Sequence, residues 1–248
     1  MSMPMVESLP VRDQRINISV DEKTGDAWKP LYRIAAVAAL MSVAFIIVAG
    51  IVLAINPIPT TMVGWFELYN SSWLRGLLAG DLMMLASYVL VGVIYLALYG
   101  ALRRVNQPFM ALATVFAYVG MTAYIAANPA FTMLSLSHQY AAATTDAERT
   151  SLLGAGQAVI ANWNGSAFNV AYLIGAVSAI IVALVMLRSN VFGKVTAYAG
   201  LAMGVLTLVP ASAGMVGVVF SLAALVPTLI WCVLIARRFF QLGGASRK

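Results

Sequence analysis

Asp81 is a lone carboxylate placed between an aromatic segment and a long uncharged run, Leu82–Leu102. An ionised carboxylate at the centre of a membrane helix costs roughly 2.5–3.5 kcal/mol, and less near the interface. Its side chain is therefore expected to face protein or water. Within a helix drawn through Leu74–Leu102, Asp81 lies about two turns inside the outer end marked by Trp73. Met84, Tyr88, Gly92, Tyr95 and Tyr99 follow at near-whole turns, which puts the carboxylate and three phenols on one stripe. Arg75 is six positions away, about 120° round the helix, and is not the natural partner. Two readings stay open: a ligand or proton site open to the outside, and a hydrogen-bonding anchor between helices.

Other residues with polar chemistry gather on the same side. Trp65, Tyr69 and Trp73 are four apart, so a short helix would align them on one face, with the aromatic character of a membrane interface. His138 is the only histidine. With Asp146 and Glu148 beyond a turn it falls short of a catalytic zinc set, which recruits three protein ligands. Asn169, near Asn162 and Asn164, is suited either to bonding across helices or to lining a polar pocket. The candidate ligand-binding set is thus Asp81, Tyr88 and Tyr95 by the stripe, with Tyr69, Trp73, Asn169 and His138 around it.

 No catalytic set, metal site or cofactor is expected. The chain has no Gly-rich phosphate loop, no paired intramembrane carboxylates and no activated serine or cysteine motif, and its single cysteine, Cys232, lies within an apolar block.

The elements that must position these residues are apolar helices. The chain is 62% hydrophobic and only 10% charged, against about 25% charged in soluble domains. A bilayer core needs about 20 apolar residues in a helix. Six segments qualify: Ile34–Ile55, Leu74–Leu102, Phe109–Ala127, Ala167–Leu187, the shorter Val195–Ser212, and Met215–Ala236 with Pro227 inside it. Thirteen of the fifteen Lys and Arg residues fall on one side of that arrangement, leaving Arg75 and Arg149 on the other. The positive-inside rule then puts both termini in the cytoplasm, with the protein in a bacterial-type inner membrane. The same distribution explains the net charge of +6 without nucleic acid.

The expected fold class is all-α integral membrane, a six-helix bundle with a short helical extracytoplasmic cap. Residues 1–29 read as a flexible cytoplasmic tail, 30–240 as the membrane domain and 241–248 as a second tail. The cap is placed at 128–166. Asn128-Pro129 restarts a helix, Thr145 and Glu148 form a capping box, and Asn164-Gly165 closes the segment. Gly200 and Gly204 allow close helix approach, either within the bundle or between copies.

Several short motifs run in a familiar order: Leu31-Tyr32-Arg33-Ile34-Ala35, Leu74-Arg75 with Asp81, Leu98-Tyr99-Gly100-Ala101-Leu102-Arg103, Val105-Asn106, and Phe168-Asn169. In these the chain resembles a family of small six-helix bacterial membrane proteins catalogued only as a domain of unknown function. The resemblance implies the six-helix architecture and no activity. Three function classes follow from the residues. The first is binding or transport of a small or amphipathic ligand from the outer side. The others are an accessory subunit of a larger membrane complex and, less favoured, a lipid-modifying enzyme. The expected partners are membrane lipids, with other membrane subunits or a second copy of the chain.

Overall fold

The computed structural model describes residues 27–55 and 58–244, and those residues are helical with short connections. Six helices carry most of the apolar sequence: α1 (Lys29–Ile55), α4 (Leu82–Leu102), α5 (Gln107–Ala127), α8 (Ser166–Leu187), α9 (Lys194–Leu206) and α10 (Gly214–Gly244). Four shorter ones intervene: α2 (Met62–Ser71), α3 (Trp73–Ala79), α6 (Ala130–Ala142) and α7 (Asp146–Trp163).

The six apolar helices form a closed ring. In chain order α1 packs on α4, α4 on α5, α5 on α8, α8 on α9 and α9 on α10, and α10 returns to α1. Small residues make the contacts close, as expected where lipid supplies no hydrophobic drive between helices. Ala35, Ala36, Ala38 and Ala39 form the buried face of α1. A methyl group on Gly204 would meet the Ala176 carbonyl oxygen and the Ile180 amide nitrogen, both at 3.2 Å. Gly200 likewise lies against Trp231 of α10, so this glycine pair serves the bundle itself. The outward faces carry exposed apolar side chains such as Val37, Ile51, Val119, Val219 and Leu222.

Both ends of the described chain meet at one end of the ring. Arg33 Nε donates to the Gly243 carbonyl at 2.9 Å. Trp28 packs beside Tyr99 and under the Arg103 guanidinium, and Tyr32 stacks on Phe239. Lys29, Arg33, Arg103, Arg104, Arg188, Lys194, Arg237 and Arg238 lie in the segments that converge there. The four described carboxylates, Glu67, Asp81, Asp146 and Glu148, belong to the opposite end. There α2, α3, α6 and α7 pack on one another around Trp65, Phe66, Tyr69, Leu77, Ala130 and Met133.

Several local features differ from expectation. The helix expected through Leu74–Leu102 breaks at Gly80-Asp81, so Asp81 is a junction residue and the long helix begins at Leu82. The aromatic face expected of Trp65, Tyr69 and Trp73 is also divided. Ser72 is extended, ending α2 and capping α3, so Trp65 and Tyr69 are buried while Trp73 is 60% exposed. Five apolar helical stretches are long enough to cross a membrane. The 13-residue α9 spans only about 20 Å before turns begin at Thr207.

At the ends of the chain, Lys29 already begins α1, and α10 continues through Gly244, past residue 240. Residues 1–26 of the N-terminal tail and 245–248 of the C-terminal one lie outside the described residues. The capping box is present, with Glu148 Oε2 accepting from the Thr144 and Thr145 amides and Thr145 Oγ1 accepting from the Glu148 amide.

Candidate functional site

Gly80 and Asp81 connect α3 to α4 by a sharp change of direction. The Gly80 amide closes α3 on the Gly76 carbonyl at 2.8 Å, and Gly80 lies so close to α6 that an added methyl group would sit 2.9 Å from Ala130 Cα. Asp81 then takes the left-handed conformation, φ 73°, as the only non-glycine residue with positive φ among those described. Asp and Asn tolerate that region better than most L residues. Its carbonyl accepts from the Leu85 amide at 3.0 Å and so begins α4. Its carboxylate makes no capping bond to that helix, although capping is the usual use of an aspartate at such a position. The side chain is left available for other contacts.

It is met by Tyr124, whose hydroxyl donates to Asp81 Oδ2 in a short hydrogen bond. Tyr124 sits near the end of α5, 43 positions along the chain. Tyr88, two turns into α4, stacks on the Tyr124 ring with centroids 3.8 Å apart and planes within 8°. From α8, Phe168 lies 6.2 Å from Tyr124 and 4.9 Å from Tyr172. Three helices thus place four aromatic rings in a connected group beside one carboxylate. Among the described residues no Lys or Arg forms an ion pair with Asp81, and Oδ1 has no hydrogen bond.

Two further polar atoms at this junction are buried without partners among the described residues. The Tyr69 hydroxyl sits against Gly80. Asn128 accepts from the Ala130 amide through Oδ1 at 3.1 Å while its Nδ2 is unpaired. Unsatisfied buried groups are uncommon in native structures, and a site for a small polar ligand is one setting in which they occur. For Tyr69, which belongs to the short-helix layer, burial pushes the phenol well above its usual range, so it stays neutral and available as a donor.

The candidates read from sequence divide into two groups. Asp81 and Tyr88 meet at the site, and Tyr69 reaches its edge through Gly80. Tyr95 is buried two turns deeper on α4, in the main core, near Tyr88 and Ser178. Trp73 points away and is exposed. Asn169 instead joins α8 to the turn before α10, accepting from Ser212 Oγ at 2.5 Å. His138 is exposed on α6. Tyr124, Phe168 and Tyr172 were not singled out from sequence as site residues. Their common signal is an aromatic near the same end of an apolar helix as Asp81, but only the packing of α4, α5 and α8 brings them together. Among the described residues no group of three or more His, Cys, Asp or Glu side chains is placed to hold a metal.

Compared with family models, with curated proteins and with solved structures, the chain finds no significant match.

Proposed function

We propose that the chain is a six-crossing inner-membrane protein that binds and transports a small organic cation, entering from the outer side and held at Asp81. The observation that carries this reading is a carboxylate without a counter-ion among the described residues, fixed by Tyr124 among Tyr88, Phe168 and Tyr172. A cation supplies the missing charge, and aromatic faces attract it by about 0.5–2 kcal/mol. Apolar substituents on the ligand suit the rings around the charge. The unpaired Tyr69 hydroxyl and Asn128 amide offer hydrogen bonds beside it. A proton and a cation compete for the same carboxylate, which is the elementary coupling of an exchange transporter.

The topology in this reading has three supports. The Arg33–Gly243 bond holds the start of α1 and the end of α10 at one end of the ring, which calls for an even number of crossings. Eight of the ten described basic residues lie at that end, which by the positive-inside rule supports a cytoplasmic position for it. The α9 helix closes the ring between α8 and α10, and with its following turns it makes the sixth crossing. The four short helices then form an outer cap over Asp81.

Binding of tetraphenylphosphonium to the purified full chain tests the site. Asp81→Asn should weaken that binding at least tenfold, about 1.4 kcal/mol. Wild-type affinity in Asp81→Asn would sink the reading.

A further inference from the structure

The basic end of the ring contains a cavity that is independent of the Asp81 reading. A cavity of about 570 Å³ opens where the α8–α9 connection faces the last turns of α10, within the roughly 300–1,000 Å³ range of small-molecule sites. Arg188, Lys194, Arg237 and Arg238 line it, and no carboxylate does. All four described carboxylates lie at the other end of the molecule. Arg188, Lys194 and Arg237 have neither ion pair nor hydrogen bond from their side chains among the described residues.

Arg238 is held in place: its Nε donates to the Val191 carbonyl and its Nη1 to Gln241 Oε1 at 3.0 Å. Those two bonds occupy acceptors in the wall and leave further guanidinium N–H groups for a ligand. Thr196 is buried, only 6% exposed, and lines the cavity; among the described residues its hydroxyl makes no hydrogen bond. It stands in the first turn of α9, whose N-terminus begins at Gly193 with no side-chain cap. Positive charge, a free hydroxyl and uncapped backbone amides at one point are complementary to an anion.

We propose that this cavity binds a phosphate group, carried either by the headgroup of an anionic lipid or by a free phosphate species. The planar guanidinium of Arg238 matches two phosphate oxygens. Arg188 and Lys194 add charge, and Thr196 fixes orientation. Only the assignment of this end to the inner leaflet depends on the orientation proposed above.

Native mass spectrometry of the full chain, released from neutral detergent, separates the two sources. The chain is titrated in parallel with phosphatidylglycerol, phosphatidylcholine and inorganic phosphate. The expected result is one phosphatidylglycerol or one phosphate bound at least tenfold more tightly than phosphatidylcholine. Bound phosphatidylglycerol that inorganic phosphate does not displace identifies a lipid site. Binding of phosphate alone, or displacement of lipid by phosphate, identifies a soluble ligand.

The double substitution Arg188→Gln with Lys194→Gln should weaken binding at least tenfold. Both side chains are exposed and make no hydrogen bond, so the fold is retained. Thr196→Val should weaken binding by a smaller factor without changing charge. Arg103→Gln with Arg104→Gln removes the same charge elsewhere on that end and should leave the affinity within twofold. Unchanged binding in the Arg188/Lys194 variant overturns the proposal, as does an equal loss in the Arg103/Arg104 variant.

Discussion

At the scale of single residues, the junction at Asp81 combines a backbone requirement with a side-chain role. The left-handed conformation is tolerated by Asn as well as Asp, so Asp81→Asn changes the charge with little strain. A loss of cation binding in that variant therefore reports the carboxylate itself. Tyr124→Phe removes the donor while keeping the ring on Tyr88. Its expected cost is about 1 kcal/mol, roughly fivefold in affinity, because the carboxylate loses its positioning bond. The groups facing Asp81 are the phenols of Tyr88 on α4, Tyr124 on α5 and Tyr172 on α8. The carboxylate is therefore the group that takes up a proton on acidification. Tetraphenylphosphonium binding by the wild type should weaken as pH falls, and the residual binding of Asp81→Asn should be flat with pH. Titration at several pH values checks both statements.

Among the elements, helix contacts depend on where the chain lacks a side chain. Gly204 sits against the backbone of α8, so Gly204→Val must push α9 away from Ala176 and Ile180. Overpacking of this kind costs about 1–3 kcal/mol, and a lower unfolding temperature in detergent is the expected reading. Gly154 in exposed α7 has nothing within 4 Å of an added methyl group. Gly154→Ala should be neutral or stabilising by up to about 1 kcal/mol through helix propensity. A comparable loss of stability in both variants would show that the α8–α9 contact does not limit the fold. The start of α7 has its own pH dependence. Backbone hydrogen bonds from Thr145 and Thr144 hold the Glu148 carboxyl below its usual range. Their contribution is present above the unfolded-state pKa and is lost as pH falls through the lower folded-state value.

For the molecule as a whole, the described residues place opposite charge at opposite ends of the ring, basic where the start of α1 meets the end of α10 and acidic around the short helices. Accessibility of introduced cysteines tests how this maps onto a membrane, with the buried Cys232 replaced by Ala. A membrane-impermeant maleimide should label His138→Cys and Ala213→Cys in intact cells, and Lys194→Cys only after permeabilisation. Labelling of Ala213→Cys only after permeabilisation would mean that α9 does not cross, leaving five spans. The closed ring also has a consequence for stability. Substitution of Arg33 by Gln removes the Nε bond to Gly243 that holds α1 to the end of α10, so it bears on ring closure rather than on the Asp81 site.

Local chemistry made much of this legible in advance. Apolar length marks the long helices because lipid offers backbone groups no other partners. Thr145 and Glu148 announce a helix start because the capping box is satisfied within four residues. Leu82–Leu102 was recognisable as an uncharged run and coincides with α4. The break at Gly80-Asp81 was not readable in the same way. It depends on the approach of Gly80 to Tyr69 and Ala130, residues whose distance in space is set by other helices. The site followed the same rule: the stripe read along Leu74–Leu102 pointed to Asp81 and Tyr88, while Tyr124, Phe168 and Tyr172 joined them only when α5 and α8 packed alongside. Helical periodicity acts within one segment, whereas a binding site is built from side chains whose separation along the chain carries no information about their separation in space.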